Sequence, residues 1–204
     1  MSLSTLQGFF GLAPSSPPIQ AYLAQLSRSS PLDPEIKAYA DVMYVNYHEL
    51  GISFCGVPAG GGAKIDQGAG WDGVLVESID LYNPRPTAGQ GRSRQRAWNV
   101  FRGLPLVLES VEGQVMRLEE GTRGRDIVAA LGEPSRKGGG TGWVDVWLEY
   151  ANVGVVFDLQ DPRGDEVVTE AEQAKGIGGV WDRAGRWVWS SVKVFKPTDV
   201  GDKS

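Results

Sequence analysis

Tyr47-His48-Glu49-Leu50-Gly51-Ile52-Ser53-Phe54 is met again further along the chain as Tyr150-Ala151-Asn152-Val153-Gly154-Val155-Val156-Phe157, with Tyr, Gly, a β-branched residue and Phe at identical spacing. Working outward, Ser78-Ile79-Asp80-Leu81-Tyr82-Asn83-Pro84 matches Ser191-Val192-Lys193-Val194-Phe195-Lys196-Pro197 in the same order. Two matches in one order point to a single unit used twice. Alternation about each glycine turn sets a hairpin register. Tyr47 faces Ile52 and Val45 faces Phe54; Tyr150, Leu148 and Val146 face Val155, Phe157 and Leu159. A slip of one residue would turn these apolar pairs to the wrong side of the sheet. On the same basis Cys55 pairs with Tyr44.

Each half opens on a helix signal. Ile19, Tyr22, Leu23 and Leu26 recur at helical spacing behind Ser16-Pro17-Pro18, where proline suits the first turn. In the second half Thr122 is expected to cap a helix from Arg123 to Leu131, with Ile127, Val128 and Leu131 as its apolar stripe. Gly132 and Pro134 then end it. Third strands are expected at Val74 to Tyr82 and Trp187 to Phe195, and one or two further strands within 97 to 118. Gly-rich connections fill Gly56 to Gly73, Asn83 to Arg96 and Gln160 to Gly185, and Ser135 to Gly140 reads as a flexible turn. The expected class is α+β: two related units, each a helix followed by an antiparallel β-hairpin and a third strand. Residues 1–96 form the first unit with an N-terminal extension, 97–118 the connecting strands, 119–197 the second unit and 198–204 a tail.

The segment Gly121 to Phe195, with Leu131-Gly132-Glu133-Pro134, a Gly-rich turn, the strand Trp147-Leu148-Glu149-Tyr150 and then Gly154-Val155-Val156-Phe157, resembles the SmpA/OmlA and β-lactamase-inhibitor-protein style of tandem α+β repeat. The stretch Tyr44 to Asn83, with Asn46-Tyr47 and Leu50-Gly51 before Ile52-Ser53-Phe54, is similar to a hairpin of the phagosome assembly factor family. The first resemblance implies a binding module, and neither supplies a catalytic residue.

Composition narrows the chemistry. The 204 residues are 41% hydrophobic and 22% charged, as in ordinary globular chains, and carry a net charge of −5. That balance disfavours a general nucleic-acid binder or an anionic membrane surface as partner. One cysteine and one histidine allow no disulfide and no zinc site built from those residues. No signal peptide or apolar run of about 18 residues is found, so a cytoplasmic or nuclear location without membrane association is expected. Any Cys-His or Ser-His mechanism would have to use His48, which the register assigns to a turn away from Cys55. Asp145 and Glu149 lie on one strand face, about 13 Å apart at Cα, wide for a catalytic carboxylate pair. No phosphate-loop or calcium-loop spacing occurs, and Asp161, Asp165 and Glu166 lack it too. The expectation is a protein that is not an enzyme and needs no metal or cofactor.

Two surface features remain. Trp143 and Trp147 alternate with Val144, Val146 and Leu148, so they lie opposite the core beside Asp145 and Glu149, and Trp187 and Trp189 are expected on the equivalent face of the last strand. Such a face is either a second packing layer or an aromatic platform. The leading expectation is a protein-interaction module binding its partner through Trp143, Asp145, Trp147, Glu149, Trp187, Trp189 and Lys193. The alternative is a small-molecule site or enzyme in a Trp-lined pocket. Arg92, Arg94 and Arg96, within a stretch free of acids and interleaved with Trp98 and Phe101, form a third candidate, for anions.

Overall fold

The computed structural model describes residues 1–27, 32–59, 65, 71, 73–84, 97–110, 113–139, 146–160 and 177–198. They form helices α1 (Leu3–Gln7), α2 (Pro17–Leu26), α3 (Gly124–Leu131) and α4 (Ile177–Ala184) with ten strands. Eight strands make one antiparallel sheet in the order β1 (Glu35–Ala38), β2 (Met43–Tyr47), β3 (Ile52–Pro58), β4 (Val74–Tyr82), β10 (Val188–Val194), β9 (Val155–Gln160), β8 (Val146–Tyr150), β7 (Arg136–Gly138). The remaining two, β5 (Leu106–Glu109) and β6 (Val115–Leu118), pair with each other in the segment where connecting strands are expected. The class is α+β with a large antiparallel sheet.

Both hairpins take the register that alternation dictates. Tyr47 pairs with Ile52, Val45 with Phe54 and Tyr44 with Cys55; Tyr150, Leu148 and Val146 pair with Val155, Phe157 and Leu159. Each turn needs a positive φ, which glycine alone adopts without strain. Gly51 has φ 67° and Gly154 φ 79°. A Cβ on Gly51 would stand 2.5 Å from the Asn99 carbonyl, and one on Gly154 would stand 2.4 Å from that of Phe195. Each turn also accepts a hydrogen bond from the end of its third strand: Tyr82 N–H to Gly51 O and Phe195 N–H to Gly154 O, both 2.9 Å.

The core lies on the sheet face covered by the helices and the β5–β6 hairpin. Val45, Tyr47, Ile52, Phe54, Ile79 and Leu81 are buried there from β2 to β4, and Val155, Phe157, Leu159, Val192 and Val194 from β9 and β10. Tyr47 meets Phe54 edge-on at 6.2 Å and Tyr150 meets Phe157 likewise at 6.1 Å. Against them pack Ile19, Tyr22 and Leu23 of α2, Ile127 of α3, and Leu106, Leu108, Met116 and Leu118 of the hairpin. Burying side chains of this size contributes about 1.5–3 kcal/mol each, which is why the apolar rows decide the architecture.

Several local expectations are corrected. Thr122 does not cap α3: its Oγ1 accepts the Glu119 N–H at 2.9 Å, the helix starts at Gly124, and the Asp126 carboxylate accepts the Arg123 N–H at 3.0 Å. Within Ser135 to Gly140, Arg136–Gly138 is a strand, because its backbone completes the sheet beyond β8. The connection Gln160 to Gly185 contains α4, and β1 occupies a segment without strong alternation. The third strand of the second half begins at Val188, so Trp187 precedes it.

Candidate functional site

Side chains that point away from the core form rows across the sheet. Register places Glu35, Asn46, Ser53, Asp80, Lys193, Val156, Glu149 and Arg136 in one row running from β1 to β7. A neighbouring row carries Tyr82, Ser191, Asp158, Trp147 and Gly138. One face of the sheet is thus mainly apolar and the other mixed, polar at most positions but carrying Val156, Tyr82 and Trp147, as an antiparallel sheet packed chiefly on one side allows.

At the middle of this face the β4–β10 seam brings Lys193 Nζ within 2.8 Å of Asp80 Oδ1. Burial pushes the Asp80 carboxyl above its ordinary value; Lys193 pulls it back in part, and Asp158 adds a smaller upward push. Burial alone would lower the Lys193 ammonium, but the charge and hydrogen bond of Asp80 carry it above its usual value. Beside this pair Ser191 Oγ donates to Asp158 Oδ2. Cys55 lies between Tyr44 and Ser78 in the adjoining row. Burial pushes its thiol up, with hydrogen bonding to Ser78 and the charge of Lys193 acting the other way.

Towards β1 lies a second cluster. His48 Nε2 is 2.9 Å from Glu35 Oε2, which also accepts from Asn46 Nδ2 at 3.2 Å, while Ser53 Oγ donates to Asn46 Oδ1 at 2.6 Å. Hydrogen bonds from His48 and then Lys37 hold the Glu35 carboxyl at about 2. Trp98 lies over the His48 side of the cluster, stacked on Tyr82 at 3.8 Å and tilted over the His48 ring at 4.0 Å. His48 belongs to the turn, as its place in the sequence requires, and its ring is engaged with Glu35 and Trp98.

Towards β7 lies Trp147. It sits opposite Gly138, where a Cβ would stand 2.6 Å from the indole, so the missing side chain is what lets the ring lie against the neighbouring strand. Arg136 places its guanidinium 6.0 Å from the centre of the indole and 3.8 Å from Glu149. Trp147 and Glu149 are half-buried and Arg136 is exposed.

The seven predicted partner-binding residues therefore separate. Trp147, Glu149 and Lys193 share the outer face, on neighbouring strands. Trp189 does not: a β-bulge between Trp189 and Ser191 shifts the alternation by one residue, so Trp189 pairs with Leu159 and is wholly buried. Its Nε1 donates to Glu119 O at 2.8 Å, satisfying the indole inside the core. Trp187 lies before the strand, partly buried against the core, with its carbonyl accepting the Gly124 N–H at 2.9 Å. Trp143, Asp145, Arg92, Arg94 and Arg96 lie outside the described residues, as do Asp161, Asp165 and Glu166.

Sequence reading passed over Asp80, Asp158 and Ser191, whose alternation was visible but whose meeting with Lys193 depends on the pairing of β4 with β10. It also passed over Glu35 and placed Arg136 in a flexible turn, because the short edge strands that carry them have no apolar period. Among the described residues no helix is long and apolar enough to cross a membrane. No family model matches the chain, and no curated protein or solved structure matches it.

Proposed function

We propose that this chain is a non-catalytic protein-interaction module that meets its partner through the outer sheet face around β8, with Trp147, Glu149, Arg136 and Lys193 as the contact residues. The carrying observation is the seat of Trp147: a half-buried indole laid against Gly138, with the Arg136 guanidinium over it. A large aromatic side chain held rigid before binding loses little entropy on complex formation, and Trp and Arg supply a disproportionate share of interface energy. The complementary partner is a protein surface offering an apolar side chain to Trp147 and a carboxylate to Arg136.

The architecture in this reading is one unit used twice, in the manner of the tandem α+β repeats that the sequence resembles. Several correspondences support it. The strand order is symmetric about the β4–β10 seam. Phe54 pairs with Ile79 and Cys55 with Ser78 before a bulge leads to Gly56 and Val76. Phe157 pairs with Val192 and Asp158 with Ser191 before a bulge leads to Leu159 and Trp189. Such irregularities are features of a fold rather than defects, so a bulge at the same place in both halves favours common descent of the halves.

The test compares quantitative affinity capture from native cells by the wild type, by Trp147→Ala and by a control, Val115→Ala, which alters an exposed side chain of β6. A protein retained by wild type and control but weakened about 30-fold or more by Trp147→Ala, with stability changed by less than about 0.5 kcal/mol, supports the platform. Identical capture by a folded Trp147→Ala protein overturns it. The alternative of a small molecule bound among all four tryptophans has less support, because Trp189 is consumed by the core.

A further inference from the structure

On the opposite side of the sheet from Trp147, the space between α3, α4 and strands β8 and β9 holds a cavity of ≈ 260 Å³. Its floor is apolar: Leu148 and Leu159 rise from the strands, Val128 comes from α3, and Trp181 forms a wall from α4. Its position follows from close backbone contact. A Cβ on Gly124 would stand 2.5 Å from the Ala184 carbonyl, so glycine is what lets the end of α4 approach α3. The Arg125 N–H donates to Gly185 O at 3.0 Å, and the Gly124 N–H to Trp187 O at 2.9 Å. These bonds hold α4 in place while the side chains beneath leave the cavity between them.

The rim is charged. Lys137 places Nζ 5.1 Å from the centre of the Trp181 ring and 2.6 Å from Glu133 Oε1. Arg125 is the other cation lining the cavity, with its Nε 3.7 Å from Asp126 Oδ1, so each rim cation has an exposed carboxylate neighbour. The Lys137–Glu133 pair is exposed, at 41% and 70% of the respective side chains. Exposed pairs of this kind contribute about 0–1 kcal/mol, so a second carboxylate can replace Glu133 on Lys137 at small cost. An apolar cavity with a few polar groups converging at its mouth has the general form of a small-molecule site. An apolar cavity of about 150 Å³ accepts benzene, so this one has room for a fused ring or a ring with a short chain.

We propose that this cavity binds a small amphipathic carboxylate, with an aromatic or alicyclic body against Leu148, Leu159, Val128 and Trp181 and its carboxylate on Lys137. This site is independent of the partner-binding face, and either can fail without the other.

The probes are naphthalene-2-carboxylate and its neutral counterpart 2-naphthylmethanol, titrated into the full chain by calorimetry and by amide NMR. Wild type is expected to bind the carboxylate about 5-fold or more tightly than the alcohol, with shifts centred on α3, α4 and β8. Lys137→Gln should erase that preference by lowering carboxylate affinity about 5-fold relative to the alcohol. Val128→Phe, which fills the floor, should weaken both probes about 10-fold. Absence of carboxylate binding to wild type at millimolar concentration overturns the site. So do shifts elsewhere on the sheet, or equal affinity for the two probes. If Val128→Phe fails to fold, the shifts in wild type and the Lys137→Gln comparison decide the matter unaided.

Discussion

Asp80 and Lys193 occupy corresponding places in the two matched segments, Ser78 to Pro84 and Ser191 to Pro197, yet one is an acid and the other a base. Because β4 pairs with β10, they meet directly across the seam at 2.8 Å. A like-charge pair there would oppose the seam, so the opposite signs favour the pairing of β4 with β10. Asp80 is held above its ordinary value of 3.8, chiefly by burial. Its ionisation therefore costs stability: its favourable contribution is complete below 3.8 and is lost as pH rises through the raised folded value. Removing Lys193 raises that value further. Lys193→Met should lower stability by about 1–3 kcal/mol at neutral pH, less than for a fully buried pair because Lys193 is 45% exposed. The deficit should narrow from neutral to acidic pH, as the pH falls through the raised folded value of Asp80 and its carboxyl takes up a proton. Urea denaturation at both pH values checks this, and a deficit that does not change with pH would assign the loss to packing of the lysine stem instead.

At the scale of elements, the two hairpin turns and the two bulges do different work. The turns fix register through Gly51 and Gly154, each with positive φ and each pressed against a backbone that a side chain would strike. Gly51→Ala and Gly154→Ala should each cost about 2 kcal/mol or more, by strain and by displacement of the adjoining chain. Gly113, with φ 78° and no atom within 4 Å of a Cβ, is the control, where alanine should cost about 1 kcal/mol. Thermal unfolding of the three variants compares them; equal losses would remove the close approach from the explanation. The bulges re-aim side chains. Without the bulge before Ser191, Trp189 would stand on the outer face near Trp147, and the core would lose one of its largest buried residues.

For the whole molecule, the continuous sheet joins the two halves in one hydrogen-bonded network through Val192 to Leu81 and Val194 to Ile79. Buried residues of both halves also belong to a single cluster. The halves should therefore unfold together. Native-state hydrogen exchange is expected to give the central amides of β3 and of β9 the same opening free energy within about 1 kcal/mol. A gap of more than about 2 kcal/mol between them would show that the seam does not couple the halves.

Alternation within each strand and glycine at each turn were sufficient to settle the hairpins from the sequence, because their determinants lie within about ten residues of one another and a slipped register would expose apolar side chains. The same local logic marked α2 and the third strands and put Trp147 and Glu149 opposite the core. What lay beyond it was decided by tertiary structure. The edge strands β1 and β7 exist because neighbouring strands offer them hydrogen-bond partners, which no apolar period announces. The fate of Trp189 turned on one extra residue in the ladder, invisible to a rule that counts by twos. The meetings of Asp80 with Lys193 and of Trp98 with His48 join residues distant in sequence, and only the path of the folded chain brings such groups within reach.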